Sequence, residues 1–99
     1  MKDEFVIYIG IWGQRHYGYL KKHSLTVINV MRMNGTLEHY LRGIDRDAQD
    51  MFELLMKQYA EVEGITEQLK NENQIEWVGR MNNIKARVTN IVIEELIYC

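Results

Sequence analysis

The 99-residue sequence contains no proline and only one cysteine, Cys99, which is the last residue of the chain. A single cysteine excludes an internal disulfide framework and suits a reducing compartment. No segment reaches the ~18 continuous apolar residues that a membrane span requires. The first residues also lack the basic region and the cleavage site of a signal peptide. We therefore expect a cytoplasmic protein that makes no membrane contact.

Motifs for catalysis and for ligand binding are also missing. The only serine, Ser24, lies outside a Gly-x-Ser-x-Gly setting, and no glycine-rich phosphate-binding loop occurs. Neither the histidines nor the clustered aspartates have metal-site spacing (His16, His23, His39; Asp45, Asp47, Asp50). We expect the histidines to be surface or partly buried side chains, and the aspartates to stabilise a helix dipole. The sequence predicts a non-enzymatic protein that holds no metal and no cofactor.

Charge is distributed unevenly along the chain, although the net charge is only −2. Residues 1–35 contain five basic and two acidic residues, whereas residues 36–73 contain four basic and nine acidic ones. The net acidic balance argues against a protein that binds nucleic acid through its overall charge. The uneven distribution has two interpretations: charge matching between packed helices, or a local basic patch on an acidic body. Solvated helix faces are the plainest alternative to both.

Apolar residues recur at steps of three and four, which is typical of amphipathic helices. The clearest stripe lies in the C-terminal quarter (Trp77, Met81, Ile84, Val88, Ile91 and Tyr98). Asn73 is placed to cap this helix, with Glu76 three residues later as the second half of a capping box. A second helix is predicted over residues 17–33, with Ser24 as an alternative start. Gly35 fits the left-handed position that ends a helix, and Thr36 is a natural cap for the next one.

The middle of the chain carries a longer stripe at the same spacing. Gly43 weakens the helix there and Asp45 is a cap residue, so we expect a short helix over 37–42 and a long one from Arg46. Gly64 ends the long helix, and Thr66 opens a further helical turn. The prediction for residues 15–99 is an all-α fold, a small antiparallel helical bundle whose central pair is 46–63 and 74–97. The whole chain, 1–99, is expected to form a single domain.

The run from Phe5 to Trp12 has a different composition, because it is rich in β-branched and aromatic residues. Such a run is typical of a β-strand, but a lone strand cannot satisfy its own hydrogen-bonding edges. We therefore expect residues 1–14 to form an extended arm that lies on the helices. The alternative is a strand that pairs with a second copy of the chain.

Basic and aromatic residues alternate between Arg15 and His23, as on surfaces that contact phosphate groups. The cluster contains the sequence Arg-His-Tyr followed by Tyr19 and by the pair Lys21-Lys22. The DNA-binding candidates are Arg15, Lys21, Lys22 and Arg32. A purely structural role for these side chains is the alternative.

Several stretches resemble the TnpV family of transposon-encoded proteins. The N-terminal ones are Gly10-Ile-Trp-Gly-Gln-Arg-His16 and Ile44-Asp45 with Ala48-Gln49; the C-terminal ones are Glu63–Lys70, Glu76-Trp-Val-Gly-Arg-Met-Asn-Asn-Ile84 and Glu95–Tyr98. Together they extend over most of the chain. The sequence departs from the family pattern at Val88-Thr89-Asn90, where Ala-Glu-Glu is usual.

The resemblance implies a small accessory protein of a mobile element that is moved by a site-specific recombinase. Our leading hypothesis is a transposon accessory protein that assists recombination or excision by binding DNA of the host element or the recombinase itself. The alternative is a helical protein–protein interaction module or homodimer without DNA contact. In that case Phe5–Trp12 and an exposed part of the Trp77–Tyr98 stripe would form the contact.

Overall fold

Helices account for nearly all of the chain that the computed structural model describes, residues 4–98. A 3₁₀ helix (Glu4–Tyr8) precedes α1 (Ile11–His23), α2 (Leu25–Asn34), α3 (Leu37–Val62), α4 (Glu67–Glu72) and α5 (Gln74–Val92), and a π-helical turn (Ile93–Ile97) follows. No strand occurs within these residues, so the predicted all-α helical bundle is confirmed. No helix in the described part of the chain has the length and apolar character needed to cross a bilayer.

The long helix α3 is the element on which the others pack. It contacts α1, α2, α5 and the π-helical turn. Two groups of buried side chains result. The first is Ile9, Leu20, Ile28, Leu37 and Leu41; the second is Trp12, Ala48, Ile65, Ile84, Val88, Val92 and Ile97. Because the groups follow one another along α3, the molecule is elongated, with extents of 55 × 23 × 17 Å.

Several helix-end signals identified in the sequence form as predicted, but the Thr36 side chain, at the N-cap of α3, makes no capping hydrogen bond. Gly35 and Gly64 adopt left-handed backbone, with φ of 72° and 69°, directly after α2 and after the end of α3. Asn73 Oδ1 accepts a hydrogen bond from the Glu76 backbone N–H at 3.1 Å, and its Nδ2 donates to the Glu76 carboxylate at 3.3 Å. These ends depend on residues that lie close together in sequence, which explains why the pattern alone predicts them.

The predicted break near Gly43 was wrong, because α3 continues through this residue without interruption. The Asp45 carboxylate does act as a cap, but for a different helix. Its Oδ1 accepts a hydrogen bond from the backbone N–H of Gly13, in the first turn of α1, at 3.1 Å. A tertiary contact therefore uses the side chain that sequence reasoning assigned to a local role.

The N-terminal segment is helical where an extended arm was expected. Residues 4–8 form the 3₁₀ helix, and α1 begins at Ile11, so residues 9–14 already belong to the bundle. The strand-like composition is overridden because Ile9 and Trp12, three residues apart, both enter the core. Residues 1–3 of the expected arm lie outside the described residues.

The structure also differs from the sequence prediction at one helix boundary and at the C-terminal end of the apolar stripe. Ser24 divides the expected 17–33 helix into α1 and α2, as its alternative start had indicated. At the C-terminus, Val92 and Ile97 are fully buried, whereas Tyr98 is half exposed. The backbone N–H of Tyr98 donates to the carbonyl of Ile93, five residues earlier, at 2.9 Å. This wider turn places Ile97 rather than Tyr98 in the core, because it changes the helical period. Val92 is buried in place of the predicted Ile91 because it lies four residues after Val88 within α5.

Candidate nucleic-acid interface

Helix α1 has one buried face and one exposed face, and both follow from its sequence. Trp12, His16 and Leu20 recur every four residues and are buried. Arg15, Gly18, Tyr19 and Lys22 lie at the i, i+3, i+4 and i+7 positions and share the other face. Arg15 and Lys22 are exposed, and Tyr19 is partly buried. The cluster predicted from sequence is therefore divided: His16 lies in the core, and Arg15 and Lys22 remain at the surface.

His16 is buried and ties α1 to two other elements, whereas the sequence predicted a surface or partly buried side chain. The side chain is only 3% exposed. Its Nδ1 donates a hydrogen bond to the carbonyl oxygen of Ile97 at 2.8 Å, because a carbonyl can only accept. In the neutral tautomer its Nε2 then accepts from the Tyr40 hydroxyl, also at 2.8 Å. The His16 ring thus links α1 to α3 and to the π-helical turn. The opposite face of α1 is therefore exposed to solvent.

A pocket of about 450 Å³ opens on the exposed face of α1. It is lined by Arg15, Gly18, Tyr19, Lys22, His23 and Tyr98, with no carboxylate among them. The Tyr19 ring lies close to two others, with its centroid 5.3 Å from that of Tyr98 and 4.7 Å from that of His23. Cationic side chains and aromatic faces therefore border one concave surface, which is the combination that nucleic-acid sites use.

Arg15 and Lys22, the exposed cations at this pocket, have no counterion among the described residues. The side chains of Arg15 and Lys22 make no hydrogen bond or ion pair with any residue between positions 4 and 98. Elsewhere, Arg80 pairs with Glu76 at 2.7 Å and Arg87 with Glu63 at 2.6 Å. Basic residues in the last turn of α1 also stabilise the helix dipole, which accounts for Lys22. The dipole does not account for Arg15, which lies two turns earlier.

Lys21 and Arg32 belong to a different surface. Both lie against Tyr17: the Lys21 ammonium is 5.3 Å from the centroid of its ring, and an Arg32 NH2 group donates to its hydroxyl at 3.2 Å. Arg32 also donates to the Asn29 side chain at 3.1 Å. The structure thus separates the predicted DNA contacts into two pairs, and only Arg15 and Lys22 line the pocket.

Arg15 also borders a second cleft, of about 250 Å³, between α1, α3 and α5. Lys85 and Thr89 of α5 contribute to its rim, and Trp12 lies at its wall with the indole Nε1 donating to Gln49 at 2.9 Å. Sequence reasoning missed Lys85 and Tyr98, because their proximity to Arg15 and Tyr19 depends on the packing of α5 and the C-terminal turn. No local pattern in the sequence indicates either contact.

The described residues offer no metal site, since no group of three or more His, Cys, Asp or Glu side chains converges among positions 4–98. A comparison with protein families is more informative. The family model described as "Transposon-encoded protein TnpV" matches residues 2–97. The chain belongs to the TnpV family. No curated protein and no solved structure matches it.

The stretches that carry the TnpV resemblance largely explain the packing of α1 on α3. Gly13 lies so close to α3 that a Cβ in its place would be 3.0 Å from the Leu41 carbonyl oxygen. Asp45 and Gln49 bind the Gly13 amide and the Trp12 indole. Among the polar side chains of the Gly10–His16 stretch, Arg15 alone makes no such bond within the described residues. Arg15 is therefore an exposed polar side chain of this stretch that makes no bond within the described part of the fold.

Proposed function

We propose that this transposon-encoded protein assists recombination or excision of its element by binding the element's DNA through the exposed face of α1. The observation that carries the proposal is the pocket in which Arg15 and Lys22 lie beside tyrosine rings, with no carboxylate among the described residues that line it. A phosphate backbone supplies the missing counterions. The protein has an acidic net charge, so such contact is local rather than spread over the surface.

A salt-titrated binding assay with DNA from the ends of the host element tests this proposal. Each phosphate contact adds about 0.9 to the slope of log affinity against log salt concentration. The double variant Arg15→Ala, Lys22→Ala is expected to bind more weakly and to lower that slope by about 2. Because both side chains are exposed and unpaired among the described residues, the variant keeps the fold.

Lys57→Ala is the matched control. Lys57 is also exposed and makes no ion pair with the described residues, but it lies on α3 away from the pocket. Its removal should leave both the affinity and the salt slope unchanged. If the double variant and the control behave alike, the α1 face is not the DNA contact. If DNA binds only when the element's recombinase is also present, the recombinase rather than DNA is the direct partner.

Exposed apolar side chains favour a second candidate function, self-association. The accessible surface is 6922 Å², whereas a compact monomer of this mass exposes ~5,900 Å². On α2, Leu25, Val27, Val30 and Met33 are between 46% and 87% exposed. Ile7 and Ile75, within and near the contact segments expected from sequence, are exposed at 72% and 87%. A second copy of this chain would cover such faces, since dimers bury matching patches.

Sedimentation velocity over a wide range of protein concentrations measures this association directly. Val30→Lys is expected to weaken a dimer, because it places a charge in the apolar face of α2. Leu54→Lys is the control, since Leu54 has a similar exposure of 55% but lies on α3. A monomer at every concentration would exclude the homodimer.

A further inference from the structure

We infer that the pocket on α1 holds a single unstacked nucleotide, with its base against Tyr19 and Tyr98 and its phosphates at Arg15 and Lys22. The inference rests on the proposed DNA contact, and it goes further by stating which form of DNA the site selects. In a regular duplex the bases are stacked and paired, so their faces are not accessible to a tyrosine ring. The ligand class is an extruded, unpaired or single-stranded nucleotide.

The size of the pocket agrees with one nucleotide. Its volume of about 450 Å³ lies within the range of ~300–1,000 Å³ that is usual for small-molecule sites. Arg15 and Lys22 are seven residues apart, which is about 10.5 Å along a helix axis. Tyr19 lies between them, so the cations flank the aromatic surface on both sides. A base that lies on the ring would leave its two neighbouring phosphates near the two cations.

Tyr19 and Tyr98 both line the pocket, and Tyr19 also packs against the first group of buried side chains. Tyr98 is 50% exposed, and its ring centroid is 5.3 Å from that of Tyr19 at an angle of 35°. The buried His16 ring is nearly parallel to the Tyr19 ring, at an angle of 15°, with the two centroids 6.4 Å apart. Stacking on such faces tolerates any base, because every base has a π-face. The site therefore selects the unstacked state rather than a particular sequence.

Gly18 keeps the space above the helix open. A Cβ built at this position meets no atom within 4 Å, and the residue lies on the pocket lining between Arg15 and Tyr19. Gly18→Leu would fill the pocket and would raise the helix propensity of α1 at the same time. Gly79→Leu is a matched control, because Gly79 is an exposed glycine within α5 with the same open surroundings.

The experiment compares three fluorescent probes by anisotropy at one salt concentration: a fully paired duplex, the same duplex with one unpaired nucleotide, and the corresponding single strand. We expect the latter two to bind at least about tenfold more tightly than the paired duplex. Tyr98→Ala and Gly18→Leu should abolish this preference, whereas Tyr98→Phe and Gly79→Leu should retain it. Circular dichroism checks that each variant is folded.

The outcomes separate this inference from the proposed function. Equal affinity for all three probes, with a steep salt dependence, would overturn the nucleotide pocket and leave the DNA contact intact. A preference that survives both Tyr98→Ala and Gly18→Leu would also overturn the pocket. If no DNA binds but a free mononucleotide does, and Gly18→Leu blocks it, the pocket is supported and the DNA function fails. No binding of any probe would overturn both.

Discussion

His16 shows how one buried polar residue determines which side chains α1 presents to solvent. Both of its ring nitrogens are hydrogen-bonded, one to the C-terminal turn and one to α3. Buried polar groups are tolerated only when they are paired in this way. Loss of one partner leaves the other group desolvated without compensation, which costs more than the hydrogen bond itself contributed.

Tyr40→Phe tests how much the hydrogen bond between Tyr40 and His16 contributes to stability. The substitution removes the hydroxyl that donates to His16 Nε2 and leaves the ring in place. We expect the free energy of unfolding to fall by about 1–2 kcal/mol, because a buried acceptor loses its donor. Chemical denaturation measures the change. In the control, Tyr8→Phe, the ring is 73% exposed, and a change within ~0.5 kcal/mol is expected. Equal stabilities for the two variants would show that this hydrogen bond is energetically unimportant.

Between elements, the N-terminus of α1 depends on a carboxylate from α3. Asp45 accepts from the Gly13 amide, and the same carboxylate occupies the space where a side chain at Gly10 would lie. Asp45→Ala is expected to cost about 1 kcal/mol in unfolding free energy, as the loss of a cap usually does. Asp50→Ala is the control and should be nearly neutral, because Asp50 is an exposed aspartate five residues later on α3.

Gly10→Ala gives the second half of this test. Its added methyl group would displace the Asp45 carboxylate from the cap, so we expect it to destabilise the wild-type protein. In the Asp45→Ala background the same change should cost less, because the obstructing carboxylate is already absent. A double-mutant cycle measures this coupling. Additive effects of the two substitutions would contradict the steric interpretation.

The same elements show what the sequence can and cannot predict. Asn73, Thr66 and Gly35 mark helix ends through bonds to residues within a few positions, and their roles follow from local pattern. Asp45 and Tyr98 act on partners that are distant in the chain, so no window of sequence contains the information. The sequence likewise predicts Arg15, Lys22, Lys21 and Arg32 as one set of surface cations. Only the fold shows that the first two lie on a different surface from the last two.

At the scale of the whole molecule, the bundle is unusually extended for its length. Its radius of gyration is 17.1 Å, whereas a compact domain of this size has ~13 Å. Both groups of buried side chains include residues of α1 and α3, whereas α5 contributes to only one of them. None of the residues of α4 is fully buried. Local unfolding should therefore differ along the chain.

Amide hydrogen exchange under native conditions measures this gradient. We expect the slowest exchange at residues 84–92 of α5 and 41–52 of α3, because Ile84, Val88 and Val92 pack there with no exposed surface. Amides of α4 should exchange orders of magnitude faster, since they are released by a local opening that leaves this core intact. Leu69, which is partly buried against the core, and Lys70, 4.9 Å from the centroid of the Trp77 ring, are among the residues that hold α4 on the bundle. Equal protection of α4 and α5 would mean that the protein opens as one cooperative unit.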